Sequence, residues 1–434
     1  MKTRRSRFLT DYGMVVVLLL LCVFFSAVTS TEQSATGEAA VGQVVGAIRA
    51  GERVLVVGGG TAGDAVFLEA LEGRLRAGGV EVKEIVVGGP REARLALERV
   101  MREGKGLDGV ACSELAGRWL VFEEVGKLFP GLSGVRVVKP MRSRFPSFLK
   151  ADNLLNIANQ IAVIAIVAIG MTMVIVTGGI DLSVGSLIAL SAVLVSVFIR
   201  DYGGGAEAGT WGLVGCCVAA VGVCGCFGVF SGWMVTRFEI PPFIVTLGMM
   251  LVGSGLAFLL ADGQSISAMP DAFVWLGRGA DLVGLPNAVV LMFGLYGVAH
   301  VVMTHTRLGR HFYAVGGNRE AAMLSGIPLN RVVLVTYVAS ALLAGLGGVI
   351  MASQLKSGSP TYGTMYELYV IAAVVVGGAS LSGGKGRMFG TLIGALTIAV
   401  IQNGMNLTNV ESYTQKVVLG LVILGAVLLD KVRK

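Results

Sequence analysis

One carboxylate stands apart from the other acids of the chain. Asp181 lies within Thr177-Gly-Gly-Ile-Asp-Leu-Ser-Val-Gly-Ser-Leu-Ile-Ala-Leu190, with apolar runs on both sides. A carboxylate at the centre of a membrane-crossing segment costs roughly 2.5–3.5 kcal/mol on insertion scales, so it needs a compensating role. Two compatible roles fit. Its side chain can cap the helix that begins near Leu182 by accepting backbone donors, or it can touch a polar cargo or gate its passage. Gly178, Gly179 and Ser183 share the segment. A second segment repeats the frame Gly-Gly-x-x-Leu-Ser-x-Gly: Val376-Gly-Gly-Ala-Ser-Leu-Ser-Gly-Gly384, followed by Gly390-Thr-Leu-Ile-Gly-Ala-Leu396. It brings in Gly377, Gly378 and Ser382 at an offset of 377 − 178 = 199 residues. Glycine clusters release the backbone from helix, and irregular backbone at membrane depth survives only beside protein or a water-lined cavity. Corresponding Gly-interrupted segments in two halves of a chain point to a transport pathway.

Amides form the second group. Asn156, Asn159 and Gln160 open one apolar run, and Gln402, Asn403 and Asn406 close another. They suit hydrogen bonds to a polar cargo or between helices, the latter being the plainer use. Other chemistries find no support. A phosphate-binding loop needs Gly-x4-Gly-Lys-Ser/Thr, and the nearest approach, Ala379-Ser-Leu-Ser-Gly-Gly-Lys-Gly386, has Ala379 for the first glycine and Gly386 for the hydroxyl. His300, His305 and His311 fall near a span end and a loop, where solvated or interfacial roles are expected. No nucleophile–base pair or metal-ligand set is evident, so neither an enzyme nor a bound cofactor is expected.

The elements that must hold these residues follow from composition. Of 434 residues, 54% are apolar, 15% charged and 63 are glycine. A soluble chain runs near 45–50% apolar and about 25% charged, so the balance points to lipid. Disorder is excluded, as is a disulfide scaffold. The six cysteines are sparse, and Cys216, Cys217, Cys224 and Cys226 share one apolar stretch. Positions 31–150 hold 32 of the 63 charged residues, which marks a water-exposed domain at about 31–145 and a membrane body from about 150. Apolar runs fit ten crossings, at 13–28, 154–177, 182–199, 211–235, 243–261, 285–303, 332–352, 368–379, 389–401 and 417–429, the shorter ones extended by polar flanks or broken.

With the N-terminus cytoplasmic, fourteen Lys and Arg fall inside: Lys2, Arg4, Arg5, Arg7, Arg237, Arg307, Arg310, Arg319, Arg331, Lys385, Arg387, Lys431, Arg433 and Lys434. Seven fall outside: Arg142, Arg144, Lys150, Arg200, Arg278, Lys356 and Lys416. The bias puts both termini in the cytoplasm and the charged domain on the far side. It also accounts for the net charge of +7 without nucleic acid. A cleaved signal peptide is the competing reading of the first span, but cleavage would leave an odd number of crossings.

The outer domain alternates strand and helix: strand 53–57, helix 64–77, strand 80–87, helix 90–103, strand 109–112, helix 116–129 and strand 135–138. That pattern implies a parallel sheet with helices on both faces. Gly58-Gly-Gly-Thr-Ala-Gly63 formally matches a dinucleotide fingerprint. The plainer account is a strand-to-helix turn that leaves helix N-terminal amides free.

Four motifs in order, Gly170-Met-Thr-Met-Val-Ile-Val-Thr-Gly-Gly-Ile-Asp-Leu-Ser-Val-Gly185, Pro241-Pro-Phe-Ile-Val-Thr-Leu-Gly248, Ala314-Val-Gly-Gly-Asn-Arg-Glu-Ala-Ala-Met-Leu-Ser-Gly-Ile327 and Val375-Val-Gly-Gly-Ala-Ser-Leu-Ser-Gly-Gly-Lys-Gly386, resemble the membrane subunits of bacterial ribose-type sugar importers of the ATP-binding-cassette class. The likeness covers about 150–432. It implies that Glu320, Ala321, Ala322 and Gly326 belong to a short cytoplasmic helix that docks on an ATPase subunit. It also implies that ATP and magnesium sit on that partner and that the permease pairs with a second copy or a related chain. Gly178, Gly179, Asp181, Ser183, Gly377, Gly378, Ser382, Asn156, Asn159 and Asn403 then become candidates for the translocation pathway. The stretch around Leu107-Asp-Gly-Val-Ala-Cys-Ser-Glu-Leu-Ala116 resembles one lobe of a sugar-type periplasmic binding protein, with Ser113, Glu114, Arg118 and Trp119 as ligand-facing candidates. Ordinary ribose-type permeases have a short loop at this position, so the need for a free binding protein is left open.

The expected fold is an all-α polytopic membrane protein of about ten transmembrane helices with an internal repeat, plus a small extracytoplasmic α/β domain. Its parts are a tail and first helix at 1–30, the outer domain at 31–148 and the permease body at 149–434. A branched-chain amino acid permease and a membrane-anchored solute sensor are the competing functions.

Overall fold

The computed structural model describes residues 4–432 except 36, 105, 268 and 283. Lys2, Arg433 and Lys434, counted in the charge bias, lie outside the described residues. The chain divides into two compact units, Ser30–Pro146 and a body formed by the segments before and after it. The body begins with α1 (Arg4–Val28).

The inserted unit runs β1 (Ser30–Ser34), α2 (Gly37–Gly46), β2 (Arg53–Gly59), α3 (Ala62–Ala77), β3 (Glu81–Gly88), α4 (Pro90–Arg102), β4 (Gly109–Cys112), two short helices α5 (Leu120–Glu123) and α6 (Val125–Leu128), β5 (Arg136–Val138) and β6 (Arg142–Pro146). Four strands form a parallel sheet in the order β3-β2-β4-β5. Successive strand residues face opposite sides. Val54, Val56 and Ala111 therefore pack with Leu68, Leu71 and Leu75 of α3 and with α2. Leu55, Val57, Val110 and Cys112 pack on the other side with Ala93, Leu97 and Val100 of α4. Burial on both faces is why β2 reads as an unbroken apolar run.

Thr61 caps α3 by accepting from the Asp64 amide at 3.2 Å. In α4, Pro90 fills the first turn and the Glu92 side chain accepts from the Gly89 amide at 2.9 Å.

Two features depart from the sequence reading. The helix expected over 116–129 is broken into a 3-10 turn at Ala116–Arg118 followed by α5 and α6, with Trp119 extended between them. Its buried residues Phe122, Val125 and Phe129 keep the three-and-four spacing of a helical face, which is why the segment reads as one helix although the backbone breaks at Trp119 and Glu124. The short polar ends of the unit, β1 and β6, pair antiparallel from Ser30↔Pro146 to Ser34↔Arg142 and were not anticipated.

The body continues with α7 (Ala151–Val176), α8 (Val184–Asp201), α9 (Thr210–Arg237), α10 (Pro242–Leu260), the short α11 (Trp275–Arg278), α12 (Asn287–His305), α13 (Arg307–Gly317), α14 (Arg319–Leu324), α15 (Leu329–Leu355), α16 (Tyr366–Val376), α17 (Met388–Leu407) and α18 (Ser412–Val432). Seven of these are long and apolar enough to cross a membrane, and Gly13–Val28, Tyr366–Val376 and Ser412–Leu428 are shorter apolar helical stretches. Every residue from Ile161 to Val176 of α7 and from Val184 to Ser196 of α8 is buried. Helices apolar on all sides belong at the centre of a bundle, and α9, α15, α16 and α17 pack around these two. The outer helices α9, α10, α12 and α18 expose Val218, Leu259, Val298 and Leu424, an apolar perimeter suited to lipid.

Candidate functional site

The two glycine segments form matched helix ends. At the end of α7, the Gly178 amide donates to the Ile175 carbonyl (2.9 Å) and the Gly179 amide to the Val174 carbonyl (3.0 Å). At the end of α16, Gly378 donates to Val375 (2.9 Å) and Ala379 to Val374 (3.1 Å). Both are Schellman closures, which need a left-handed residue just past the cap. Gly178 (φ 85°) and Gly378 (φ 90°) supply it. The structural offset is therefore 378 − 178 = 200, one more than the sequence frame. The frame matched Gly178 to Gly377, but Gly377 has φ −67° and is the cap residue. Beyond the caps the two hairpins diverge. The first is closed by side chains and the second by backbone, with the Gly383 amide donating to Ser380 and the Ser380 amide to Lys385.

Asp181 closes the first hairpin and is buried. Its Oδ1 accepts from the Ser183 amide (3.0 Å) and the Ser183 hydroxyl (2.6 Å), and its Oδ2 accepts from the Ser340 hydroxyl on α15 (2.8 Å). Asp181 thus braces the turn just before α8, whose cap residue is Ser183, rather than accepting from the first-turn amides of the helix, and Ser340 adds a long-range tie. One turn from Ser340, the Tyr337 hydroxyl is buried without a hydrogen-bond partner among the described residues. It lies against Gly179, where an added Cβ would sit 2.4 Å from the hydroxyl oxygen.

The hairpins meet each other and α13. The Gly384 amide donates to the Val176 carbonyl at 2.8 Å. Gly316, near the end of α13, is wedged at this junction: an added Cβ would lie 1.7 Å from the Val176 oxygen and 2.6 Å from the Gly384 nitrogen. Tyr313 adds a hydroxyl bond to the Gly386 carbonyl at 2.8 Å. Asn318 then caps α14 by accepting from the Ala321 amide (2.9 Å), and Gly326 (φ 81°) ends it. Within α14, Glu320 and Ala321 are exposed and Ala322 is buried. Met323 and Leu324 are also exposed, Leu324 at 85%. The sequence reading did not single these two out, although apolar residues beside an exposed acid on a short helix were the available signal.

The amides divide into ties and free groups. Asn403 and Asn153 exchange hydrogen bonds at 2.9 and 3.1 Å, joining α17 to α7. Asn159 donates to the Gly277 carbonyl (3.3 Å), and its carbonyl and side-chain oxygens accept from Gln354 Nε2 at 2.9 and 3.1 Å. Asn156 is exposed and Ser382 is exposed on the second hairpin. Neither lines a cavity of about 290 Å³ that opens between α7, α15, α16 and α17. Its polar lining is Gln160, Gln354, Gln402 and Tyr366, and its walls are apolar residues such as Ile157, Ile161 and Met351. Gln354 and Tyr366 went unnoticed in the sequence because each sits at the end of an apolar run far from the other amides.

In the inserted unit, the four candidates serve local structure at the carboxyl end of β4. Ser113 accepts from the Ala116 amide at 3.3 Å, Glu114 pairs with Arg118, and Trp119 stacks on Phe122 with centroids 6.1 Å apart. Among the described residues no group of three His, Cys, Asp or Glu is placed to hold a metal.

Long apolar helices interrupted at two matched hairpins, in a bundle that also holds a cavity with four polar side chains, mark a multi-pass membrane transport protein. Residues 153–427 match the family described as branched-chain amino acid transport system / permease component, and the chain belongs to that family. It is 44% identical over 289 residues to the ribose import permease protein of Escherichia coli (strain K12), spanning 66% of this chain and 87% of that one. It is 44% identical over 288 residues to the ribose import permease protein of Bacillus subtilis (strain 168), with the same shares. The D-allose transport system permease protein of Escherichia coli (strain K12) is 34% identical over 284 residues, 65% of this chain and 85% of that one. No solved structure matches the chain.

Proposed function

We propose that this chain is the membrane-spanning permease subunit of an ATP-binding-cassette importer for a sugar, working with a separate ATPase chain and a second permease copy. The observation that carries the reading is the junction of Val176, Gly316 and Gly384. Through it, any displacement of α13 and α14 acts on both hairpins at once. A short helix with an exposed acid and exposed Met323 and Leu324 suits docking on an ATPase groove. Different contacts with two nucleotide states would bias the permease between two conformations. The sugar assignment rests on the ribose and allose permeases the chain is similar to. In this reading the seven long helices and three shorter ones make ten crossings, both termini are cytoplasmic and residues 31–148 lie on the outer side of the bacterial inner membrane.

Uptake of labelled D-ribose, D-allose, L-arabinose and L-leucine by a ribose-permease-deficient strain, expressing this chain with a ribose-type ATPase, tests it. Energised uptake of a sugar is expected. Uptake of leucine alone would favour the amino-acid alternative, and no nucleotide-driven flux at all would favour a sensor.

A further inference from the structure

The geometry points to a transit site: the cavity between α7, α15, α16 and α17 holds one uncharged monosaccharide ring, read by Gln160, Gln402 and the Tyr366 hydroxyl. This rests on the importer reading and goes beyond it by naming where, and by what chemistry, the body itself recognises cargo.

Three observations carry it. The first is size. About 290 Å³ lies just under the roughly 300–1,000 Å³ range of ligand pockets, room for one sugar ring and not two. The second is unused hydrogen-bonding capacity. Gln160, Gln402 and the Tyr366 hydroxyl make no side-chain hydrogen bond among the described residues. Gln354 has its Nε2 engaged by Asn159, which fixes the side chain while its Oε1 stays available. An amide offers both donors and an acceptor, which matches hydroxyls that each donate and accept.

The third observation is the absence of charge. No Lys, Arg, Asp, Glu or His lines the cavity among the described residues. An amino-acid zwitterion or a sugar phosphate would have to lose its hydration there with no counter-charge, a cost far above that of a neutral hydroxyl that regains a hydrogen bond. The cavity therefore passes neutral polyols and rejects charged solutes of similar size.

Saturation-transfer NMR on the full chain in lipid nanodiscs tests this with D-ribose, L-arabinose, sucrose, L-leucine and D-ribose 5-phosphate as probes. Transfer to the two pentoses is expected, with little to the others. The double variant Gln160→Leu/Gln402→Leu should weaken D-ribose binding by about tenfold or more, since each polar group removed leaves a sugar hydroxyl unpaired. Tyr366→Phe, which removes one oxygen and keeps the packing, should weaken it severalfold. Gln264→Leu, at an exposed position outside the cavity, should not. No transfer to either pentose in the wild type, binding unchanged in both cavity variants, or equal binding of D-ribose 5-phosphate would each overturn the transit site. Uptake of D-ribose in cells separates the two ideas. Energised uptake without cavity binding removes this inference and leaves the importer standing, whereas no energised sugar uptake removes the importer and the site with it.

Discussion

Ser340 on α15 donates its hydroxyl to Asp181 Oδ2 at 2.8 Å, across 159 positions of sequence. With the Ser183 amide and hydroxyl on Oδ1, the buried carboxylate has three donors and fastens the first hairpin to α15. Asp181→Leu leaves those donors buried and unpaired, at about 1–3 kcal/mol each. The variant should lose several degrees of unfolding temperature in detergent and most uptake. Ser340→Ala removes one donor and should cost about 1 kcal/mol. Full uptake and normal stability in Asp181→Leu would show the carboxylate to be dispensable.

Glu320→Lys reverses the exposed charge of α14 without touching its buried residue Ala322. The protein should insert at the wild-type level and lose sugar uptake. Unchanged uptake would remove α14 from the docking role.

Neighbouring glycines offer a sharper test of the hairpin junction. Gly316→Ala drives a methyl into the Val176 carbonyl, which is backbone and cannot rotate away. Gly317→Ala meets nothing within 4 Å. The first should abolish transport and the second should retain it. Tyr313→Phe removes only the bond to the Gly386 carbonyl and should lower the sugar moved per ATP hydrolysed. Equal behaviour of the two alanine variants would show that the close approach has no mechanical role.

Acid should loosen the inserted unit before neutral pH does. Arg53 grips Asp108 through its amide and Nε (both 2.9 Å) and its Nη2 (3.1 Å), and this holds the Asp108 carboxyl at about 2, below its ordinary 3.8. A carboxyl depressed on folding stabilises the fold above its unfolded value and loses that contribution as pH falls through the folded one. Pepsin cleavage within 30–146 should therefore rise as pH drops from about 4 towards 2. Asp108→Asn should raise cleavage at pH 4 and flatten the dependence. A wild-type profile identical to the variant's would rule out the pair as the cause.

Much of this architecture was readable from residue order, and the failures have physical causes. Val54–Val57 with Gly58 and Gly59 behind them announce a buried strand and its turn, because a strand covered on both faces must be apolar throughout. The glycine repeat announced both hairpins but misplaced their register by one. Two adjacent glycines look alike, and only the backbone shows which takes the left-handed conformation. Asn159 and Asn403 belong to interhelical ties, while Gln160 and Gln402, the same chemical group one position away, line the cavity. One residue, a rotation of about 100° about the helix axis, separates these outcomes. Gln354 completes the set only because α15 packs against α7, a fact of packing rather than of local pattern.

The uncharged lining of the cavity has an electrical consequence. Moving one elementary charge through 100 mV of membrane potential is worth about 2.3 kcal/mol. A neutral solute held only by amides, a phenol and hydrocarbon carries no charge through that field. Its passage should be indifferent to voltage, and cells whose membrane is depolarised while ATP is maintained should import it at an undiminished rate.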